Sequence, residues 1–143
     1  MKTIIQNVRS MPEWNALKTI RKEVFVLEQG LDECVIEDIH DETCIHILYE
    51  DAGKVVASCR VRQEGDVAYI ERVSVAKDYR NQSLGKQLIQ EAVKFIQSSS
   101  ALLISIFAQT QVSPMYEKHG FEVSGNNFQI YGTSHIKMIK HIV

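Results

Sequence analysis

The sequence predicts a mixed α/β fold around a mostly antiparallel sheet, and three observations support this prediction. Strand-like and helical segments follow one another as strand, helix, three strands, helix, strand, short helix and two strands. Short turn sequences separate the three consecutive strands, which favours antiparallel pairing between them. In the second half, a continuous apolar run follows a long amphipathic helix, which is typical of a βαβ unit with a buried strand.

Composition and charge narrow the class of protein. A chain of 143 residues with 45% apolar content can bury a real core, and we expect residues 1–143 to form one domain. The net charge of -2 gives no electrostatic reason for binding nucleic acid or an anionic membrane. No apolar run approaches the ~20 residues of a membrane span, and the N-terminus lacks the apolar stretch of a signal peptide. An odd number of cysteines (Cys34, Cys44 and Cys59) without a CxxC pair indicates reduced thiols and a cytoplasmic protein.

The first two elements are a strand over residues 3–8 and a helix over residues 10–30. Ser10 and Glu13 have the spacing of a capping box, which predicts the start of the helix. Pro12 falls in the first helical turn, where its missing N–H does no harm. Apolar residues then recur at helical spacing along the segment.

The next three elements are predicted strands. Residues 44–50 and 55–64 are rich in strand-forming residues, and the sequence Asp-Ala-Gly-Lys at 51–54 between them is a hairpin signal. Residues 67–76 form a third such run, which follows a Gly-Asp turn at 65–66.

The second half of the chain continues the alternation. Residues 84–97 carry apolar side chains on one helical face, and residues 101–108 form a continuous apolar run typical of a buried strand. Residues 113–120 begin near a proline and end on a glycine, which predicts a short helix. Residues 121–132 and 135–143 are the final predicted strands.

The turn before the long helix, YRNQSLGKQL at residues 79–88, is small, polar and basic. A helix N-terminus carries unpaired N–H groups and a partial positive charge, so it favours an anion. Arg80 and Lys86 add positive charge, and small residues around Gly85 let a ligand approach the backbone. These features favour a phosphate or diphosphate, although a solvated loop would have the same composition and no Walker or Rossmann glycine pattern is present.

The context of this turn resembles the coenzyme A binding motif of the GNAT N-acetyltransferase superfamily. That motif is a strand ending in a V-x-V-like pair, a short loop, and Arg/Gln-x-x-Gly-x-Gly/Ala at the start of a helix. In this sequence the motif lies within residues 70–89. It reads Val73-Ser74-Val75 and then Arg80-Asn81-Gln82-Ser83-Leu84-Gly85.

Two further segments carry the resemblance. SPMYEKHGF at 113–121 matches a pattern in which a tyrosine lies on a short helix ahead of a Gly-Phe pair. Residues 20–30, followed by an acidic stretch and later by AQ at 108–109 and HIKM at 135–138, resemble small bacterial acetyltransferases of the YjcF and ElaA kind. Together the motifs cover essentially the whole chain.

The resemblance implies a GNAT fold and an activity. The fold would be a central mixed, mostly antiparallel, twisted sheet of about six or seven strands flanked by about four helices. Two central strands would splay apart to form a cleft for acetyl-coenzyme A, the co-substrate. The activity would be acetyl transfer to a primary amine of a small molecule or peptide, by direct attack in a ternary complex. The alternative on the same fold is a catalytically weak sensor or regulatory module that binds acyl-coenzyme A.

The cofactor-binding residues implied by the resemblance divide into two groups. The backbone of Val73 and Val75 would pair with the pantetheine arm as an added strand does, and the Val73 amide would stabilise an oxyanion. Backbone amides at 81–86, together with Arg80, would hold the diphosphate. The full set is Val73, Ser74, Val75, Arg80, Asn81, Gln82, Ser83, Leu84, Gly85 and Lys86.

Two carboxylates are candidates for the base that an ammonium acceptor needs. Glu71 is the first, and its alternative is an ion pair with Arg60 or Arg62. Strand alternation would place it on an otherwise apolar face. That face comprises Val67, Tyr69, Glu71, Val73 and Val75. Glu28 is the second candidate, and its alternative is an exposed carboxylate at a helix end.

Tyr116 is the candidate acid. A phenol with a pKa of ~10 is protonated at neutral pH and could reprotonate the departing thiolate. The alternative is a core tyrosine with its hydroxyl at the surface. His135 would lie near the acceptor, where we expect a structural role.

Two positions depart from the family pattern. Ser83 replaces the first loop glycine, and a positive φ there would cost on the order of 1 kcal/mol. Ile130 stands where the branch usually has an acid. These departures keep the sensor alternative open, and a third alternative is an unrelated phosphate-binding α/β domain.

An acidic stretch at 32–42 carries six of the eighteen carboxylates. It could form an acidic rim that attracts cationic amines, or simply a solvated loop. Its cysteines and histidines fit no standard zinc spacing, so we expect no metal site. The sequence is compatible with a monomer or a homodimer.

Overall fold

The structure, a computed structural model, describes residues 1–142, and this range forms one eight-stranded sheet with three α-helices. The strands are β1 (Lys2–Ile5), β2 (Ile45–Asp51), β3 (Lys54–Glu64), β4 (Val67–Val75), β5 (Leu103–Gln109), β6 (Glu122–Val123), β7 (Phe128–Ile130) and β8 (Thr133–His141). The helices are α1 (Trp14–Arg21), α2 (Leu84–Gln97) and α3 (Ser113–Lys118). The predicted mixed, mostly antiparallel sheet is confirmed. It gains a strand because the predicted strand at 121–132 divides into β6 and β7. The predicted last strand ends at His141, and Val143 lies outside the described residues.

The sheet order is β1-β2-β3-β4-β5-β8-β6, with β7 also paired to β8. Only β4 and β5 are parallel, and α2 makes the crossover between them. Their pairing extends from Val67 and Leu103 to Tyr69 and Ser105. Beyond these residues β4 continues to Val75 and β5 to Gln109 without pairing to each other. The two strands therefore splay apart, as the family resemblance implies, and leave two open strand edges.

Helices cover both faces of the sheet. On one face α2 packs Leu88, Ile89 and Ile96 into a core cluster. On the other face α1 packs Leu17 and Ile20 into a second cluster. Each fully buried side chain of this size contributes about 1.5–3 kcal/mol. Within the described chain, no helix has the length and apolar character needed to cross a lipid bilayer.

The predicted helix over residues 10–30 differs in two ways from the structure. The prediction of a capping box at Ser10 and Glu13 is wrong. The Ser10 hydroxyl donates to the Asn7 carbonyl at 2.9 Å, and Glu13 occupies the N-cap position without a side-chain cap. After α1 the chain widens into a π-helix at Lys22–Glu28, a rare form that occurs mostly as short segments within helices and is frequent at functional sites. Gly30, at φ +73°, follows this segment.

A β-bulge in β4 overturns the predicted face pattern of that strand. Arg60 of β3 lies opposite Glu71, and Ser58 lies opposite Ser74, so Arg72 and Val73 together face a single β3 residue. Arg72 has φ +56°, and the extra residue reverses the alternation beyond it. The prediction of one shared face is therefore wrong. Val67, Tyr69 and Glu71 share a face, whereas Val73 and Val75 pack on the opposite, α2-covered core.

Candidate active site

A cleft of about 1340 Å³ opens where β4 and β5 separate. One half of its lining comes from the end of β4, residues 79–81 and 83–86, and α3, whereas the predicted site residue Gln82 is not among the lining residues. The other half comes from the π-helix and the loop after it, the end of β5, and the β7–β8 turn. This volume exceeds the ~300–1,000 Å³ of an ordinary small-molecule pocket, so the cleft has room for a long ligand and a second molecule.

The turn that leads into α2 presents a row of backbone amides without partners. Within residues 1–142, the N–H groups of residues 81–86 donate to no backbone or side-chain acceptor, and the first bonded amide is that of Gln87, to the Ser83 carbonyl at 3.0 Å. Asn81 and Ser83 both have φ +64°, which folds the turn tightly. Unpaired amides at a helix N-terminus suit a diphosphate. The residues present therefore fit the diphosphate of coenzyme A.

The edge of β4 that no neighbouring strand pairs with faces the same cleft, and in the structure the Val75 carbonyl on this edge accepts hydrogen bonds from Arg80. The Ala76 amide donates toward β3, to the Val56 carbonyl at 2.8 Å. Because successive residues of a strand direct their N–H and C=O groups to opposite edges, Val73 and Val75 direct theirs away from β3 and into the cleft. This edge can accept an extended ligand as an added strand.

Arg80 and Glu28, which the sequence predicts for diphosphate binding and for catalysis, pair with each other. Arg80 Nη1 and Nη2 lie 2.5 and 2.8 Å from the Glu28 carboxylate oxygens. Arg80 also donates to the Val75 carbonyl at 3.0 and 3.1 Å. The hydrogen bonds from Arg80 lower the pKa of Glu28. Both side chains are about a third exposed, at 36% for Glu28 and 37% for Arg80. Such a pair contributes only about 0–1 kcal/mol, so it exchanges readily.

Glu71 is held by both of the arginines that the ion-pair alternative named. One carboxylate oxygen lies 2.8 Å from Arg60 Nη2 and 3.1 Å from Arg62 Nε. Burial opposes ionisation of Glu71, but the bonds and charges of the two arginines outweigh it and lower the pKa. The structure therefore favours the ion pair over the base at this residue.

The acidic stretch contributes to a buried ion network. Asp41, fully buried, lies 3.0 Å from Arg21 and 3.2 Å from Arg60. Asp38 lies 2.6 Å from Arg60 and 3.1 Å from Arg72, the bulge residue. These two carboxylates point inward, so they do not belong to an acidic rim. Breaking such a network is expensive, since it leaves a buried charge without a partner. The network therefore holds the β4 bulge, and with it the amide of the next residue, in place.

Buried His46 packs against this network. Its Nε2 donates to the Asp41 backbone carbonyl at 2.8 Å, and its Nδ1 accepts from Arg21 at 3.4 Å. This assignment of the ring proton follows from the two partners. Burial is the main cause that lowers the pKa of His46, and the charge of Arg21 adds to it. The imidazole is therefore neutral in the folded protein near pH 7.

Tyr116 is a core tyrosine that also lines the cleft. The ring is buried, with 4% exposure, and makes an edge contact with Phe121 at a centroid distance of 6.0 Å. The residue also lines the cleft. Burial raises the pKa of the phenol, so the group remains protonated at neutral pH.

Several cleft residues were not recognised as site residues from the sequence, and Phe107 and Tyr131 are the two with the clearest contacts. Phe107, in a run predicted to be buried, is 44% exposed, and its ring lies between Tyr69 and Phe128. Tyr131 on the β7–β8 turn contacts Cys34 of the acidic stretch, with 2.8 Å between Oη and Sγ. His135, also in the lining, donates from Nδ1 to the Thr133 carbonyl at 2.8 Å, which leaves Nε2 as an acceptor.

Comparison with known proteins gives a consistent result. Residues 10–142 match the family model of the acetyltransferase (GNAT) domain. Bacillus subtilis YjcF, an uncharacterized N-acetyltransferase, is 33% identical over 123 residues, which cover 85% of this chain and 87% of YjcF. Escherichia coli ElaA has a TM-score of 0.90 at 23% identity over 99% of both chains. An aminoglycoside 6'-N-acetyltransferase solved with coenzyme A has a TM-score of 0.75 at 17% identity, over 99% of this chain and 97% of that one.

Fold and family together define an acyltransferase with acetyl-coenzyme A as its co-substrate. The chain belongs to the GNAT acetyltransferase family. The predicted family and enzyme class are confirmed, and the alternative of an unrelated phosphate-binding domain is wrong.

Proposed function

We propose that this protein is an N-acetyltransferase that transfers an acetyl group to a primary amine of a small molecule or peptide by direct attack in a ternary complex. The observation that carries the proposal is the row of unpartnered amides at 81–86 beside the open edge of β4. The amides receive the diphosphate, with Lys86 adding positive charge. The strand edge at Val73 and Val75 receives the pantetheine arm.

Acetyl-coenzyme A supplies the activated acyl group, and the chain supplies orientation and proton transfer. The Val73 amide, directed into the cleft and held by the bulge, donates a hydrogen bond where negative charge develops on the carbonyl oxygen. Tyr116, protonated at neutral pH, returns a proton to the departing sulfur. Tyr116→Phe then lowers turnover and leaves binding of acetyl-coenzyme A intact, because the ring still fills the same space.

Glu28 is the better base of the two carboxylates in the cleft. Its pair with Arg80 is partly exposed, and a diphosphate is a competing bidentate partner for the guanidinium. Binding of the cofactor therefore moves Arg80 to the diphosphate and releases Glu28 to accept the amine proton. Cofactor binding does not free Glu71 in the same way, because Arg60 and Arg62 hold its carboxylate inside the protein.

A sensor of acyl-coenzyme A is the second candidate, and one observation favours it. Both carboxylates that line the cleft within residues 1–142 are paired with arginine, so neither is a free base in the structure. The two candidates differ in the fate of the bound cofactor. An enzyme releases free thiol when an amine is added, whereas a sensor binds the cofactor without releasing thiol.

The test combines a thermal-shift titration with acetyl-coenzyme A and a free-thiol assay over a panel of amines. A ligand at 100 times its Kd stabilises the native state by about 2.7 kcal/mol, which raises the melting temperature measurably. We expect both the thermal shift and amine-dependent thiol release. A thermal shift with thiol release at background for every amine would instead assign the sensor.

A further inference from the structure

The acceptor half of the cleft is lined mostly by apolar side chains. The loop after the π-helix meets the β7–β8 turn through the contact between Cys34 and Tyr131. The end of the π-helix meets the end of β5 through Gln29 and Gln109, whose side-chain atoms lie 2.7 Å apart. The apolar lining residues of these elements form two groups, which we call the walls of the acceptor half. One wall comprises Phe25, Leu31 and Val35, from the π-helix and the loop after it, and the other comprises Phe107, Ile130 and Tyr131, from β5, β7 and the β7–β8 turn.

Phe107 is the most informative residue of these walls. Its ring makes a stacked contact with Tyr69 at 6.3 Å and an edge contact with Phe128 at 5.7 Å. These neighbours fix the ring, yet 44% of the residue remains exposed, and Phe107 lines the cleft. A fixed aromatic ring in a concave site is suited to stacking against a flat apolar group.

Charge in the cleft disfavours an acceptor with several ammonium groups. Among the described residues, Glu28 and Glu71 are the carboxylates in the lining, and both are paired with arginine. The cations of the lining are more numerous. They are Arg72, Arg80, Lys86 and Lys118. A second ammonium group would lose its hydration there without gaining a counter-charge.

One counter-charge becomes available when the cofactor binds. This step rests on the function proposed above, in which the diphosphate draws Arg80 away from Glu28. The loaded cleft then offers a single carboxylate for a single amine.

We propose that the acceptor is a monoamine with an aromatic body, which stacks on Phe107 while its amine meets Glu28. In the reaction the amine nitrogen forms a bond to the acetyl carbon, and the bond from that carbon to sulfur breaks. The amine proton passes to Glu28, and the sulfur takes a proton from Tyr116. The products are an N-acetylated arylalkylamine and free coenzyme A.

The experiment measures turnover and binding separately, with 2-phenylethylamine, n-butylamine and spermidine as probes. Turnover is followed as thiol release with acetyl-coenzyme A. Binding is followed as the thermal shift that each amine adds to the complex with coenzyme A. We expect kcat/KM for phenylethylamine to exceed that for spermidine by at least about tenfold, a ratio typical of apolar pockets. The thermal shifts should rank phenylethylamine above spermidine as well.

Two variants test the assignment of residues. Phe107→Ala should lower kcat/KM for phenylethylamine about tenfold and for butylamine by less than about twofold. Leu102→Ala is the matched control, because Leu102 is 59% exposed, precedes the same strand and lies outside the cleft lining. Ile130→Glu should shift the preference toward spermidine, since it adds a carboxylate to the acceptor wall. The affinity for acetyl-coenzyme A should not change in any of the three.

The outcomes separate this inference from the function on which it rests. A preference for spermidine, or an equal loss for both monoamines in Phe107→Ala, would overturn the inference and leave the acetyltransferase intact. Selective binding of phenylethylamine without any turnover would support the acceptor class and reject the enzyme. Neither binding nor turnover with any of the three amines would overturn the inference, and the acetyltransferase would still be decided by the wider amine panel described above.

Discussion

Replacement of Gly85 separates the needs of the free protein from those of its ligand. A Cβ at this position would lie 3.8 Å from Val75 Cγ2 and 4.0 Å from Met115 Sδ, which is ordinary van der Waals contact. Gly85 lies in the first turn of α2, so Gly85→Ala should stabilise the free protein by about 0.5–1 kcal/mol. That gain corresponds to about 1–4 °C in melting temperature for a chain of this size. The family motif accepts alanine here, so binding of acetyl-coenzyme A should persist.

Gly85→Val, in contrast, should weaken binding of acetyl-coenzyme A. Its γ-methyl groups add bulk at a residue that lines the cleft, and we expect them to separate the ligand from the amides of the turn. Loss of one hydrogen bond to a charged group amounts to about 1.5–3 kcal/mol, or roughly 10–100-fold in affinity. Isothermal titration calorimetry with acetyl-coenzyme A measures the affinity, and far-UV circular dichroism with thermal melting confirms the fold. A folded Gly85→Val protein with wild-type affinity would refute the reasoning.

Three other substitutions test separate parts of the molecule. Glu28→Gln should tighten binding of acetyl-coenzyme A about 2–5-fold, because Arg80 loses its carboxylate partner, and should also reduce turnover. Calorimetry measures the affinity and thiol release measures the turnover. Glu33→Gln, at an exposed residue, is the control, and the same changes in this variant would contradict the role of Glu28. Ser83→Gly should raise the free energy of unfolding in urea by roughly 0.5 kcal/mol, because relief of the positive φ outweighs the added entropy of the unfolded chain. A loss of stability would show that the serine hydroxyl contributes more to stability than the positive φ costs. Because the folded pKa of His46 is lowered, the unfolded state binds its proton first, so stability should fall as pH drops below the ordinary histidine value of 6.5. In the His46→Gln variant the free energy of unfolding should fall less steeply between about pH 7.5 and pH 5.5. An unchanged slope would show that other groups cause the pH dependence.

Local patterns predicted the elements that depend on local interactions. The bounds of α2 follow from its apolar face and from the turn before it, and the hairpin between β2 and β3 follows from Ala52-Gly53, both at positive φ. The splayed strands were expected only from the resemblance, since no local pattern reveals where two strands stop pairing. The capping box failed because Ser10 satisfied a carbonyl of the preceding turn.

The site was less predictable because its decisive contacts join distant parts of the chain. Glu28 and Arg80 are 52 residues apart in sequence, and nothing near either one indicates the other. The sequence leaves Glu71 open between a base and an ion pair with Arg60 or Arg62, and only the register of β3 and β4, which places Arg60 opposite it, favours the ion pair. The bulge at Arg72 adds one residue to a strand whose letters look regular, so alternation misplaced Val73.

The central claim is that the free amides of residues 81–86 bind the diphosphate of the co-substrate. An amide NMR titration with coenzyme A observes these groups directly, with residues 90–97 of α2 as an internal control. The amides at 81–86 should show the largest shifts, saturating with the affinity measured by calorimetry, while the control amides move little. Saturable binding with unshifted amides at 81–86 would contradict the claim, because the ligand would then be held elsewhere.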